Sequence, residues 1–356
     1  IHIPKTGGTS LYLNLKQYYS KQNKFKALNL FSTPPDIINK YNLLSQSHHD
    51  WNVTPENSIT SYYFNSIEKI MEAIEINKFV HMHIFRTFQS MVLYFYCRIF
   101  RVPYIIDAHG AVPYHKNKRL LKKIFDLIIG RRMLRNSHCL VAETEVGKQE
   151  YLSVDPTLPS DKIRILSPPF DTDEFLELPL AGGFRAKFNI SGKKNLITFL
   201  GRLHECKGND FLVRGFKELQ KRRKDCHLVF IGPDDGHENI LREIVNDLGI
   251  TDMVTFAGFL GGVEKNEALA ASSIVVQLSR FEQGAWAPLE GILCGKPIIV
   301  TAHTGTGEDV ARLNAGYLVE FDNTKELADK FNYVLENYSE ATSMALKARE
   351  YIIKNL

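Results

Sequence analysis

Residues 274–301 read IVVQLSRFEQGAWAPLEGILCGKPIIVT, with two short apolar runs joined by a Gly-containing turn and a helical stretch. The runs at 274–278 and 297–301 are rich in β-branched residues, as buried strands are, and the helix between them is predicted to end near Cys294. This strand–turn–helix–strand order is typical of a parallel sheet. Ligands of such sheets bind beyond the carboxyl ends of the strands, which is where the turn lies.

The same alternation continues on both sides of this unit. Residues 167–194 interrupt it with proline, glycine and acidic residues, as a linker does. We therefore predict an α/β protein with two doubly wound domains, 1–170 and 171–356, each large enough to bury its own core. The other predicted strands are 79–84, 104–107, 138–142, 163–166, 195–200, 227–231, 253–256 and 317–320, and the predicted helices include 211–224, 240–248 and 325–333.

The composition of the 356 residues argues against several classes of protein. A net charge of +4 is too small to indicate nucleic-acid binding, and 44% hydrophobic with 24% charged residues is ordinary for a globular protein. Five scattered cysteines without a Cys-x-x-Cys pair argue against a disulfide framework and a zinc site. No apolar run reaches the roughly 20 residues that span a bilayer, and we recognise no signal peptide, so we expect a cytoplasmic protein.

Two glutamates, Glu282 and Glu290, flank the turn that follows the strand at 274–278. Carboxylates in these positions can hold two different parts of an elongated polar ligand, and the N–H groups at the start of the helix can bind a phosphate. The alternative interpretation is structural: Ser279 and Glu282 form a capping box, and Glu290 is a solvated helix residue. The residues alone leave both interpretations open.

A second charged turn, from Gly201 to Gly208, follows the strand at 195–200. Arg202 can offer a bidentate fork to a phosphate, Lys207 adds a compact point charge, and the helix predicted after Gly208 contributes its partial positive charge. Together these groups suit a diphosphate. The alternative is an arginine and a lysine on the surface beside a turn, and only the sheet edge shared with the two glutamates favours a ligand.

Taken in order, these motifs resemble the retaining glycosyltransferases of family 4. They are G-R-x-x-x-x-K-G, I-G-P-D-D-G, V-T-F-A-G-F-L and L-S-R-F-E-x(7)-E-x(4)-G-K-P-I-I. Those enzymes have the GT-B fold, in which two Rossmann-like domains face each other across a cleft. The resemblance implies transfer of a hexosyl unit from a UDP- or GDP-linked sugar to an acceptor hydroxyl. The second domain would bind the nucleotide sugar and the first the acceptor, a saccharide or lipid-linked sugar in polysaccharide, glycolipid or lipid-linked oligosaccharide synthesis.

The resemblance also implies roles for residues of this chain. Arg202 and Lys207 would bind the donor diphosphate, Glu282 and His109 would contact the transferred sugar, and Glu290 would hold the ribose. The turn departs from the family pattern where Gln283 and Ala285 replace glycines. The donor phosphate would further contact Gly7, Gly8, Gly284, Ala285 and Trp286, and the base would lie against Gly258, Phe259 and Leu260.

We expect no metal requirement, because two cations already neutralise the diphosphate and no Asp-x-Asp motif stands in a suitable loop. His81 and His83 alternate on a predicted strand and face one side of the sheet. They could bind a metal, but we expect a satisfied buried pair. Glu143 and Glu145 follow the strand at 138–142, where the family has a polar loop.

The segment 116–135 carries eight basic residues and one acid, with leucines and isoleucines at roughly helical spacing. Such a helix can lie on an anionic membrane surface, which would make the protein peripheral to the cytoplasmic membrane face. The alternative is a core-facing helix with a solvated basic face. The aromatic segment 85–100 is too short and too charged to span a bilayer, and we predict a buried helix.

Three other functions stay open. A nucleotide-sugar epimerase of the same fold would interconvert the free donor without a sugar acceptor. A sulfotransferase is suggested because P-K-T-G-G-T-S at 4–10 resembles a phosphosulfate loop. A non-enzymatic nucleotide-sugar-binding protein would bind the nucleotide without turnover.

Overall fold

The structure is a computed structural model, and it describes residues 80–114, 119–166, 170 and 172–355. The Gly7–Gly8 turn and the phosphosulfate-like segment lie outside the described residues. The chain divides into two compact units, Ile1–Phe170 and Asp171–Leu356. Each predicted strand is confirmed, with ends that differ by at most two residues.

The described part of the first unit is a parallel sheet with the order β1-β2-β3-β4. Because the strands are parallel, the carboxyl ends of β1, β2 and β3 lie side by side at one edge. Helices fill each crossover. The elements are β1 Val80–His83, α1 Phe88–Ile99, β2 Tyr104–Asp107, α2 Arg119–Phe125, a π-helical turn Asp126–Gly130, α3 Arg131–Asn136, β3 Cys139–Ala142, α4 Glu145–Val154 and β4 Ile163–Ile165.

A buried ion pair connects the loop after β1 to the turn between α2 and α3. Arg86 contacts both carboxylate oxygens of Asp126 at 2.9 and 2.6 Å, and the two side chains are 8% and 2% exposed. The same guanidinium donates to the carbonyls of Ala111 and Val112, and the Tyr114 hydroxyl donates to Asp126. Asp126, the single acid of the basic segment, is thus an internal anchor.

Helix α1 corrects one expectation. The segment was predicted as a buried helix, but Phe88, Phe95 and Ile99 are 65%, 50% and 68% exposed. These positions recur at helical spacing on one face, while Leu93 and Cys97 face the core. Helix α1 is therefore buried on one face only.

Five apolar side chains of the basic segment also face outward, whereas Ile129, Met133 and Leu134 near its end are buried. Together with exposed cations these five side chains form what we call the basic apolar face, and the core-facing alternative holds only for the end of the segment. The exposed fractions are Leu120 71%, Leu121 62%, Ile124 44%, Leu127 73% and Ile128 61%.

The second unit is a six-stranded parallel sheet with the order β10-β9-β8-β5-β6-β7. Strands β5 and β8 are neighbours, so the turns that follow them meet at the middle of the carboxyl edge. The elements are α5 Phe184–Lys187, β5 Asn195–Leu200, α6 Asn209–Gln220, β6 Cys226–Ile231, α7 Glu238–Asp247, β7 Val254–Gly258, α8 Gly262–Ala271, β8 Ile274–Gln277, α9 Trp286–Leu293, β9 Ile298–Thr301, α10 Gly305–Leu313, β10 Tyr317–Val319, α11 Thr324–Glu336 and α12 Tyr338–Asn355.

Candidate functional site

The turns after β5 and β8 bring Lys207 and Glu282 into contact. The ammonium and the carboxylate form an ion pair whose side chains are 16% and 17% exposed. The Ser279 hydroxyl also donates to Glu282, at 3.2 Å. The capping-box interpretation is wrong, because helix α9 begins only at Trp286. Glu282 instead lies before the helix, next to Lys207 from the turn that follows the neighbouring strand β5.

Three contacts lock these two turns together. Arg280 Nη2 donates to both carboxylate oxygens of Asp210 at 2.8 and 2.7 Å, and the Arg280 backbone N–H donates to the Cys206 carbonyl at 2.8 Å. Gly208 has φ 64°, and a Cβ there would lie 2.0 Å from the Leu278 carbonyl oxygen. Only glycine permits this approach. The positions of Lys207 and Glu282 are therefore set by backbone contacts as well as by their own ion pair.

Arg202 lies in the same turn but in a different environment. It pairs with Asp235 of the loop after β6, and the two side chains are 60% and 41% exposed. Such an exposed pair is screened by water and contributes little to stability. The guanidinium can therefore exchange this partner for a ligand anion at small cost.

Glu290 lies on α9 and is not solvated, which contradicts the structural alternative for this residue. Lys265 of α8 donates to its carboxylate at 2.7 Å, and the side chains of Lys265 and Glu290 are 18% and 14% exposed. Burial raises the pKa of Glu290, while Lys265 opposes the shift and Glu174 adds to it. No sequence signal distinguishes Lys265, because a lysine on a helix is usually solvated.

The turn before α9 presents backbone donors. Ala285 is the N-cap, and its side chain has no oxygen to accept from the first helical N–H groups, unlike a serine or aspartate cap. Gln283 is 5% exposed and Trp286 38% exposed, with Gly284 between them. The N–H groups here are placed to meet an anion at the helix start.

The predicted base-binding residues lie beyond the end of β7. Gly258 ends the strand with φ 69°, which leads the chain into the loop before α8. Phe259 is 62% exposed, whereas Leu260 is 7% exposed and lies inside the unit. Phe259 is the member of this group whose ring is accessible for stacking.

In the first unit, His109 follows β2 and lies among carboxylates and a second histidine. Its Nδ1 is 3.0 Å from Glu143 Oε1 and 3.4 Å from Asp107 Oδ1, and its Nε2 is 2.6 Å from His83 Nδ1. His81 and His83 are both buried, with ring centroids 4.1 Å apart. We call these five residues the histidine–carboxylate cluster.

The cluster has the composition of a cation site. Two overlapping groups of three residues could each hold a metal ion: Asp107 with His109 and Glu143, and Asp107 with His81 and His83. Burial raises the pKa of Asp107 to about 6, and the charge of His109 opposes this. Glu145, in contrast, is exposed at the start of α4 and accepts from Gln149 at 2.9 Å.

Comparison with known proteins gives a family match to the second unit. Residues 183–352 match the model of the family described as glycosyl transferases group 1. A mannosylfructose-phosphate synthase of Agrobacterium fabrum is 29% identical over 48% of this chain and 39% of its own length. A GDP-mannose-dependent alpha-(1-6)-phosphatidylinositol monomannoside mannosyltransferase of Mycobacterium tuberculosis is 28% identical over 54% of this chain and 52% of its own length. The chain thus spans about half the length, or less, of these curated relatives.

Solved structures show the same fold. The crystal structure of HepE from Anabaena in complex with UDP and glucose matches with a TM-score of 0.70 at 17% identity, covering 80% of this chain and 76% of that one. The glycosyltransferase WaaG, involved in lipopolysaccharide biosynthesis, matches with a TM-score of 0.57 over 82% of this chain and 92% of that one. The predicted GT-B fold is confirmed.

Proposed function

Because residues 183–352 match the model of the glycosyl transferases group 1 family, we propose that this protein is a retaining hexosyltransferase that uses a UDP- or GDP-linked sugar. The observation that carries the proposal is the Lys207–Glu282 pair, locked at the middle of the carboxyl edge of the second sheet. The names of the relatives support the donor class, because one uses GDP-mannose and another binds UDP with glucose.

The charges of the second unit match the parts of such a donor. Transfer of the sugar leaves negative charge on a departing diphosphate, which preorganised cations and N–H groups stabilise. Lys207, Arg202 and the start of α9 supply these groups. Glu282, released from Lys207 by the incoming diphosphate, is then free to accept from sugar hydroxyls, while Glu290 accepts from the ribose. In the first unit we assign a sugar contact to His109.

Binding of nucleotides to the whole chain tests the donor class directly. Thermal unfolding measured with UDP, GDP, ADP and 3′-phosphoadenosine-5′-phosphate is expected to shift upward with UDP or GDP, because a ligand that binds only the native state stabilises it. A shift with the last compound alone would instead support a sulfotransferase.

Donor turnover that is unchanged after treatment with EDTA is expected, since the proposed mechanism requires no metal.

Lys265 makes a testable contribution to the pH dependence of donor binding. As a carboxylate, Glu290 accepts hydrogen bonds from the ribose hydroxyls. The carboxylate form is lost as the pH falls through the raised pKa of Glu290. The groups that face it are Lys265 of α8, Glu174 of the loop before α5, and Cys294, whose pKa burial raises to about 12. Replacing Lys265 with methionine removes the cation that lowers the pKa of Glu290. Nucleotide affinity is therefore expected to start falling at a higher pH than in the wild type.

Isothermal titration at a series of pH values measures this effect. Lys265→Arg keeps the positive charge and should therefore retain most of the wild-type pH profile of nucleotide affinity. If Lys265 acted only through its shape, the larger arginine would not retain this profile. An unchanged pH profile of Lys265→Met would contradict the assignment of Glu290 to the ribose.

For the acceptor we propose a saccharide or a lipid-linked sugar, reached at the cytoplasmic face of an anionic membrane. Among the described residues, no helix is long and apolar enough to cross a bilayer. The basic apolar face combines exposed leucines and isoleucines with exposed cations such as Lys123 and Arg132, while its one acid is buried against Arg86. Anionic lipids complement this combination of charge and apolar surface.

Sedimentation with lipid vesicles tests this surface. We expect the protein to bind vesicles of phosphatidylcholine with phosphatidylglycerol, to release them at high salt, and to bind phosphatidylcholine alone much less. Leu127→Glu should weaken binding severalfold. Leu180→Glu is the control, because Leu180 is 84% exposed in the second unit. Equal losses in both variants would contradict a role for the basic apolar face.

A further inference from the structure

We propose that Asp107, His109 and Glu143 form a binding site for a divalent transition-metal ion such as Zn²⁺. This inference concerns the described residues of the first unit, and it includes His109, to which the proposed function assigns a sugar contact, so a bound ion would occupy this residue in place of the sugar. The three residues come from the carboxyl ends of β2 and β3, which the sheet places side by side. Their ligand atoms all lie within 4.8 Å of one another.

The spacing of the donor atoms fits coordination. Metal bonds of about 2.0–2.2 Å to nitrogen and oxygen place neighbouring ligands about 3.0–3.5 Å apart in octahedral or tetrahedral geometry. His109 Nδ1 lies 3.0 Å from Glu143 Oε1 and 3.4 Å from Asp107 Oδ1. One imidazole with two carboxylates is a mixed donor set that suits Zn²⁺, Mn²⁺ or Co²⁺.

The surroundings of His109 fit a metal ligand as well. A histidine that ligates through one nitrogen commonly donates its other N–H to a neighbour, which fixes the tautomer. Here His109 Nε2 is 2.6 Å from His83 Nδ1, so ligation through Nδ1 leaves Nε2–H to donate to His83. Asp107 is itself held by the backbone N–H of His109 at 3.3 Å.

Charge balance and access favour the same site. Two carboxylates converge on one imidazole nitrogen in a part-buried place, where a positive charge would offset their mutual repulsion. A metal ion or a protonated His109 can supply it. The side chains of His109 and Glu143 are 25% and 13% exposed, so an ion can enter from solvent, whereas His81 and His83 lie deeper.

Titration of the untagged full chain with Zn²⁺ by calorimetry, and with Co²⁺ by visible absorption, tests the site. We expect one equivalent to bind, with cobalt bands typical of nitrogen and oxygen ligands. Glu143→Gln should weaken binding by at least about tenfold. Glu145→Gln is the matched control, since Glu145 lies two residues after Glu143 and is exposed. The Zn²⁺ affinity of this variant should equal that of the wild type.

Asp107→Asn provides a second ligand variant, checked for folding by circular dichroism. Zn²⁺ affinity that is the same in the wild type and in Glu143→Gln would overturn the proposal and place the ion elsewhere. Failure of the wild type to bind either ion would overturn it too.

Discussion

Replacing Lys207 with methionine is expected to lower the rate of glycosyl transfer by about 100- to 1000-fold, the usual effect of removing one preorganised group that stabilises developing charge. Methionine keeps the length and apolar stem of the side chain but removes the cation that would face the departing diphosphate. Because Lys207 also pairs with Glu282, the variant leaves that carboxylate part-buried without its partner. Steady-state kinetics of donor turnover, with and without acceptor, measure the loss.

The second unit offers a matched control for this variant. Lys187 and Glu264 form another lysine–glutamate pair, at 2.6 Å, but its side chains are 52% and 59% exposed. Lys187→Met should leave turnover unchanged. The double variant with Lys207→Met and Glu282→Gln should be about as slow as Lys207→Met alone, because the two residues act as a unit. Wild-type turnover in Lys207→Met would remove the basis of the proposed function.

Replacing Arg86 with methionine is expected to lower the free energy of unfolding of the first unit by about 3–5 kcal/mol, because it leaves the buried carboxylate of Asp126 without its cation. The guanidinium also satisfies two backbone carbonyls, at 2.8 and 2.7 Å, so the substitution removes more than one contact. Thermal unfolding, followed by a probe in the first unit, should show a lower midpoint for that unit.

An exposed arginine pair serves as the comparison for Arg86. Arg222 pairs with Asp329, and both side chains are 49% exposed. Arg222→Met should lower the free energy of unfolding by less than about 1 kcal/mol, since water screens such exposed pairs. Similar midpoints for the two variants would show that the Arg86–Asp126 pair does not anchor the segment between α2 and α3.

The strands were predictable because buried parallel strands are short apolar runs whose ends coincide with turn residues. The strands at Tyr104–Asp107 and Asn195–Leu200 match their predicted bounds for this reason. Helix α1 was harder, because its aromatic composition indicates burial but does not reveal which face meets the core. Phe95 illustrates this, with half of its side chain exposed.

The contacts within the site were less predictable from the sequence, because they join residues that are far apart along the chain. Arg202, Lys207 and the two glutamates could be identified as charged residues at strand ends, and the sheet order brings Lys207 and Glu282 together. The partner of Glu290 could not be identified, because Lys265 lies 25 positions away on a helix with no motif of its own. Glu143 was noted only by its position, and its contact with His109 depends on the path of the loop after β3.

The acidic partners of Arg202 and Lys207, the two cations of the proposed donor site, have a consequence for selectivity among anions. Neither Arg202 nor Lys207 is a bare cation, since Asp235 and Glu282 already neutralise them. An arriving anion must displace a tethered carboxylate, so the step is an exchange of counter-ions rather than an addition. Chloride or a single inorganic phosphate gains little from such an exchange. A ligand that engages both cations and also gives the released Glu282 new hydroxyl partners gains most, which makes the site a filter against simple salts.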